Sequence, residues 1–157
     1  MRAIYPGSFD PFTLGHLNIL ERAVRLFDHI DIVVAGNRSK QYMFTADQRY
    51  RIVQLSTEHI TNSISVVSFP GIVADYIKDN KIDVIIRGIR GSSDLDYEIK
   101  LEQYNRKACF AETIYLTPGT EHLNTSSTLV RMFLQTKKPE LAAEYVTPNA
   151  LDYIMQV

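Results

Sequence analysis

Arg2-Ala3-Ile4-Tyr5-Pro6-Gly7-Ser8-Phe9-Asp10-Pro11-Phe12-Thr13-Leu14-Gly15-His16 opens the chain as strand, turn and helix start. Arg2 to Tyr5 is a short apolar strand. Pro6 and Gly7 turn it. The turn delivers Ser8, Thr13 and His16 to the beginning of a helix. A helix start carries backbone N–H groups with no partner inside the helix, and they favour an anion. Far downstream, Ser126-Ser127-Thr128-Leu129-Val130-Arg131 offers a second set of the same kind. Two separated anion-binding helix starts suit a nucleoside triphosphate held at both ends.

Working outward, apolar strands and amphipathic helices alternate. His16–Phe27 reads as a helix, with Leu17, Leu20, Val24 and Phe27 on one face. Ile30–Gly36 reads as the second strand. Thr45-Ala46-Asp47-Gln48 reads as a capping box that opens a helix to about His59. Ile64–Ser68 is the third strand, Ile72–Asp79 a short helix and Val84–Arg87 the fourth strand. Leu95–Ala108 is a longer helix and Thr113–Leu116 the fifth strand. Helices are expected at Ser127–Thr136, after Pro139, and at Pro148–Met155. This alternation predicts an α/β fold: one domain with a doubly wound, five-stranded parallel sheet and C-terminal helices. Ligands of such sheets sit beyond the carboxyl ends of the strands, where the winding reverses. The Pro6–His16 turn, Arg87-Gly88-Ile89-Arg90-Gly91 and the Thr125–Arg131 segment all follow strands at that end.

The 157 residues fit a single compact domain with a full core. A formal net charge of -1 implies no general attraction to nucleic acid or an anionic membrane. Phosphate binding must therefore be local. Cys109 is the single cysteine, so neither an internal disulfide nor a cysteine metal site is expected. That fits a reducing cytoplasm. No signal peptide and no membrane span are expected.

An isolated histidine is ordinarily a surface or core residue. His16 differs because it follows Gly15 at a helix start, where an imidazole can donate to a phosphate oxygen. His29 and His59 lack that setting and read as ordinary. His122 lies near the end of strand five and stays open. Ser8 is either a turn former or a hydroxyl donor to phosphate. Asp10 reads as a loop brace through an Asx-turn and is left out of the catalytic set. Lys40, with Arg38 as the alternative, follows strand two; a flexible point charge there could cover a reacting phosphate. Arg87 and Arg90 bracket Gly88. An arginine ending a buried strand needs an anion or a carboxylate. A phosphate clamp and pairing with Asp94, Asp96 or Glu98 both remain open. Ser126, Ser127 and Thr128 exceed what an N-cap needs. Neither a Walker A loop nor a G-x-G-x-x-G fingerprint occurs.

The T-x-G-H of Thr13–His16 and the S-S-T-x-x-R of Ser126–Arg131 resemble the paired signatures of the nucleotidyltransferase superfamily. More narrowly, Tyr5–Pro11, Lys40, the Arg87–Arg90 segment, Tyr97-Glu98 and Asn105-Arg106 resemble bacterial phosphopantetheine adenylyltransferases over essentially the whole chain. The resemblance implies that ATP and 4′-phosphopantetheine give dephospho-coenzyme A and pyrophosphate, the penultimate step of coenzyme A synthesis. It also implies magnesium (Mg2+) and commonly a homohexamer; coenzyme A feedback would follow from the shared pantetheine arm. Carried over, His16, Lys40 and Arg90 would be catalytic. Ser8, Lys40, Val73 and Arg87 would bind the pantetheine substrate. Ser8, Phe9, His16, Gly88, Ile89, Arg90, Glu98, His122, Leu123, Asn124, Thr125, Ser126, Ser127 and Thr128 would hold ATP. Departures from the commonest pattern are Ser8 for Thr, Leu14 for Asn, Thr125 for Ile, and His122-Leu123-Asn124 for Trp-Ser-Phe. The alternatives are nicotinate-mononucleotide adenylyltransferase, a cytidylyltransferase, or a non-catalytic nucleotide-binding regulator on the same fold.

Overall fold

The computed structural model describes residues 1–36, 40–60 and 63–157, with the backbone alone at position 93. Five strands form one parallel sheet: β1 (Arg2–Gly7), β2 (His29–Ala35), β3 (Ile64–Phe69), β4 (Val84–Gly88) and β5 (Glu112–Leu116). Their order across the sheet is β3-β2-β1-β4-β5. The chain winds outward from β1 to β3, returns to the other side of β1 and continues to β5. The winding therefore reverses between β1 and β4, as the doubly wound expectation requires. Ile4 lies opposite Asp31 of β2 on one side and Ile85 of β4 on the other.

A parallel sheet is covered on both faces, and strand period two divides its apolar residues between them. Ala3, Tyr5, Ile30, Ile32, Val34, Val84 and Ile86 join the larger core cluster. Ile4, Val33 and Ile85 face the smaller one, with Ala74, Tyr76 and Ile77 of helix α3 (Val73–Asp79). Helices α1 (Leu14–Ala23) and α2 (Ala46–Thr57) cover the first face. Helix α4 is Ser92–Cys109; α5 (Ser127–Gln135), α6 (Pro139–Ala142) and α7 (Pro148–Ile154) close the chain.

Most helix limits follow the local signals. Thr45 caps α2: its hydroxyl accepts from the Gln48 N–H, and the Gln48 side chain accepts from the Thr45 N–H. The larger differences from expectation are at α1, which also starts two residues early at Leu14, and at α4. Helix α1 stops at Ala23, because the turn beyond tightens to three-residue hydrogen bonds from Arg25 and Leu26. Helix α4 begins three residues early, at Ser92, where Gly91 is the extended N-cap and the Asp94 carboxylate takes the Arg90 N–H. No helix among the described residues is long and apolar enough to cross a membrane.

Candidate functional site

A cavity of about 340 Å³ opens at the carboxyl ends of β1 and β4, at the reversal of winding. Tyr5, Pro6 and Gly7 reach it from β1, and Arg87 and Gly88 from β4. Thr13, Gly15 and His16 bring the start of α1; Thr125 to Thr128 and Arg131 bring the start of α5. Both helix starts named from the sequence thus face one space. A second cavity, of about 290 Å³, shares Pro6, Gly7, Ser8 and Arg87 with the first. It runs to the other face of the sheet, between Ile72, Val73 and Ala74 on one side and Leu101, Tyr104 and Asn105 of α4 on the other.

The turn after β1 is built by close packing. Phe9 has a left-handed backbone, φ 48°, and its ring is buried against Tyr5, Phe12 and His16. A Cβ at Gly7 would stand 2.7 Å from that ring, so only glycine permits the approach. Gly88 plays a similar part on β4, where a Cβ would meet the Ile19 side chain at 2.5 Å. The ring of Phe9 is committed to the core, although the residue borders the cavity.

His16 is oriented from behind. Its Nδ1 accepts the Thr13 N–H at 3.0 Å and lies 3.0 Å from the Thr13 hydroxyl. The remaining proton therefore belongs on Nε2, which is left as a donor. Phe9 and Phe12 pack on the ring, each with its centroid 5.3 Å away. Burial, reinforced by the charges of Arg90 and Arg87, pushes its pKa down to about 4. A neutral imidazole with one fixed N–H faces the ligand space.

Among the described residues, Lys40, Arg87, Arg90 and Arg131 are the lysines and arginines that border the first cavity. Three of them have carboxylate partners. Arg87 makes a two-pronged bond to Glu98, with Nε donating at 2.7 Å and Nη2 at 2.5 Å, and its Nη1 donates to the Pro6 carbonyl at 2.9 Å. Burial lowers the Arg87 pKa, but the hydrogen bonds and charge of Glu98 more than offset this and raise it overall. Arg90 pairs with Asp94 at 3.2 Å and reaches the Thr125 carbonyl at 3.4 Å. Arg131 donates to the Asp10 main-chain carbonyl at 2.6 Å and lies 3.8 Å from the Asp10 carboxylate. Lys40 instead donates to the Ser8 hydroxyl at 3.4 Å, and no carboxylate pairs with it among the described residues. Lys40 is the cation most free to follow a moving charge.

Most residues singled out in the sequence are brought together here. Ser8, Phe9, His16, Lys40, Arg87, Gly88, Arg90, His122, Thr125, Ser126, Ser127 and Thr128 border the first cavity. Val73 borders the second. Ile89, Leu123 and Asn124 border neither. Glu98 is buried beneath Arg87 and borders neither cavity. Of the two open readings of Arg87, the carboxylate pairing is seen, with Glu98, and the side chain also borders the first cavity. All three hydroxyls at α5 also have partners within the chain, Thr128 accepting from Arg131 Nη2 at 3.2 Å. Ser126 caps the helix by accepting the Leu129 N–H, and Ser127 donates to the Pro11 carbonyl at 2.8 Å, joining the two motifs. Arg38 lies outside the described residues. His29 and His59 are remote, bonded to Ser65 and Glu21.

Asp10 braces its loop, but not through an Asx-turn. Its two oxygens accept the N–H groups of Met43 and Phe44, each at 3.0 Å, more than thirty positions along the chain. Sequence reasoning missed Arg49 altogether. Its guanidinium is buried, stacks on Tyr42 at 4.1 Å, and Nη1 donates to the Ser8 carbonyl at 2.5 Å and the Ala35 carbonyl at 3.0 Å. Burial lowers its pKa. The signal was present: Arg49 shares the core-facing stripe of α2 with Ile52 and Val53, where an unpaired charge would be costly. Leu101 and Tyr104 were also missed, since helix period alone does not separate a core position from a cavity wall.

Two solved structures share the architecture. One is Plasmodium falciparum nicotinic acid mononucleotide adenylyltransferase complexed with APC. It matches with a TM-score of 0.72 at 21% identity, over 99% of this chain and 94% of that one. The same Plasmodium falciparum enzyme complexed with NaAD matches with a TM-score of 0.72 at 19% identity, over the same shares. At such identity the likeness establishes the fold. The cytidylyltransferase-like family model matches residues 4–133, a span that contains both helix-start motifs, Lys40 and the Arg87–Arg90 segment. With that match across most of its length, the chain belongs to the cytidylyltransferase-like family.

Proposed function

We propose that this protein transfers the adenylyl group of ATP to 4′-phosphopantetheine, giving dephospho-coenzyme A and pyrophosphate. The observation that carries this reading is the pair of cavities meeting at Ser8 and Arg87. The first is polar and flanked by two helix starts, as a triphosphate requires. The second is walled by Ile72, Val73, Ala74 and Leu101, with Asn105 and Tyr104 at hand. A slim arm with alternating methylene and amide groups suits that lining. A nicotinate ring would draw more on aromatic walls, and Tyr104 is the single aromatic residue there among the described residues.

The acceptor is a phosphate monoester with a second pKa of about 6, so near neutrality it is already a dianion. It needs no general base. One of its oxygens forms a bond to the α-phosphorus of ATP while the bond from that phosphorus to the β-phosphate oxygen breaks. The electron pair leaves with pyrophosphate. What the protein supplies is alignment and charge. His16 donates Nε2–H to the transferring group, Lys40 follows its negative charge, and Arg90 holds the triphosphate side. Arg87 uses three of its five N–H groups on Glu98 and Pro6, leaving two for the acceptor phosphate at the junction.

Magnesium enters this scheme with its nucleotide. Among the described residues no cluster of three carboxylate, histidine or cysteine groups could hold an ion, and no carboxylate borders the first cavity. Magnesium commonly keeps its waters and binds through substrate phosphates. The proposal extends to a homohexamer in the cytoplasm: α4 exposes Tyr97 and Tyr104, seven residues apart on one face, which a second copy could cover. Coenzyme A would compete for the acceptor cavity through the same arm.

The test is pyrophosphate release with ATP and magnesium, with 4′-phosphopantetheine, nicotinate mononucleotide and glycerol 3-phosphate offered in parallel. Release with phosphopantetheine alone is expected. Release with another acceptor overturns the substrate, and silence with all three overturns the enzyme. Light scattering tests the hexamer; a monomer at micromolar concentration refutes it.

A further inference from the structure

We propose that Asp10 is a positioning residue for Lys40, acting on the reaction without touching either substrate. Asp10 is 2% exposed and does not border either cavity. Its carboxylate takes the N–H groups of Met43 and Phe44, each at 3.0 Å. Those residues lie three and four positions after Lys40, so the carboxylate anchors the end of the loop that carries the lysine. The Lys40 ammonium then rests 3.4 Å from the Ser8 hydroxyl, two residues before Asp10. Arg49 secures the same corner from α2 through the Ser8 carbonyl and the Tyr42 ring.

The arrangement answers a physical problem. Lysine is a flexible point charge with many rotamers, and a loop adds backbone freedom. A cation that must meet a transferring phosphate gains from having its Cα held in place. Charge-assisted bonds from two consecutive N–H groups to one buried carboxylate do this. Arg131 is tied to the same residue mainly through the Asp10 main-chain carbonyl, at 2.6 Å, with the carboxylate a looser partner at 3.8 Å. Changing the side chain therefore leaves the principal α5 tie intact, and the effect should fall on Lys40 rather than on the triphosphate.

The inference rests on the proposed reaction only for what Lys40 does, and its test has an arm that needs no acceptor. Asp10→Asn retains the shape but turns an amide N–H toward one of the two loop N–H groups. Hydrogen exchange at Met43 and Phe44 should quicken about tenfold or more in the variant; unchanged exchange overturns the proposal. In turnover, Asp10→Asn should lower kcat/KM for the acceptor about tenfold to a hundredfold, with the ATP Kd within about twofold of wild type. The double variant Asp10→Asn/Lys40→Ala should be no slower than Lys40→Ala. Multiplying losses, or an ATP affinity weakened as much as turnover, overturn it. Should Asp10→Asn fail to fold, Met43→Pro deletes one of the two donors and carries the same cycle with Lys40→Ala. If the wild type uses a different phosphate-bearing acceptor, the proposed function falls while the cycle, run with that acceptor, still decides this inference.

Discussion

Replacing His16 by alanine tests the proposed mechanism most directly, because the structure sets both size and sign. Nδ1 is spent on the Thr13 N–H, so the ring offers the transferring phosphate a single donor, Nε2–H. Loss of one preorganised transition-state donor costs about 3–4 kcal/mol, or on the order of a hundredfold to a thousandfold in turnover. The ring lies at the cavity wall beside Phe9 and Phe12, so the fold should survive. Its pKa of about 4 keeps it neutral through the physiological range. Raising pH through 6.5 should therefore not reduce turnover, as it would if a charged imidazolium were needed. Folding gives the companion signature. The pKa falls from 6.5 in the unfolded chain to about 4 in the folded one. Unfolded protein takes up the proton first, so the contribution is complete above pH 6.5 and is lost as pH falls to about 4. That loss is on the order of 3 kcal/mol. His16→Ala should remove it, and urea melts at pH 7 and pH 4.5 should show the variant losing less stability than wild type between them. Pyrophosphate release measures the rate. Turnover within about threefold of wild type would remove the Nε2 donor from the mechanism. An equal acid sensitivity in both proteins would refute the buried neutral ring.

Other consequences are independent of His16. Arg87→Ala leaves the buried Glu98 carboxylate unpaired and should cost about 3–5 kcal/mol by urea denaturation, most of it regained in Arg87→Met/Glu98→Leu; a loss below about 1 kcal/mol would mean the pair matters little to the fold. Leu101→Arg fills the second cavity and should raise the acceptor KM about tenfold or more with the ATP Kd unchanged. Equal effects on both ligands would show that the two cavities are not separate subsites. Cys109→Ala removes a buried thiol that donates to the Asn105 carbonyl and should cost about 1 kcal/mol, with turnover unchanged. A large turnover loss would contradict direct transfer.

Much of the architecture was legible before any coordinates. Short apolar strands separated by amphipathic helices specify a parallel sheet, because both faces must be covered. The Thr45–Gln48 capping box is a local signal that local geometry obeys, whereas Pro6 and Gly7 continue β1 instead of turning it, and the chain turns only after them. The paired helix starts at Thr13–His16 and Ser126–Arg131 could be recognised because their residue types suit one ligand chemistry. Helix ends were less legible. The α1 terminus at Ala23 depends on how residues 24–26 tighten, which hydrophobic period does not encode.

What the sequence determined by itself is therefore the alternation of elements, the glycine and capping positions, and the chemical identity of the groups available to a phosphate. Tertiary structure alone decided which groups are spent on the protein. Glu98 lies under Arg87 instead of facing the cavity, since a buried guanidinium holds a carboxylate more tightly than solvent would. Asp10 reaches residues 43 and 44, and Arg49 reaches residues 8 and 35, across distances no local pattern spans. The second cavity exists because α3 and α4 meet on the second face of the sheet. Such pairings are chosen by three-dimensional proximity, where burial penalises every unpartnered charge, and linear spacing does not record that proximity.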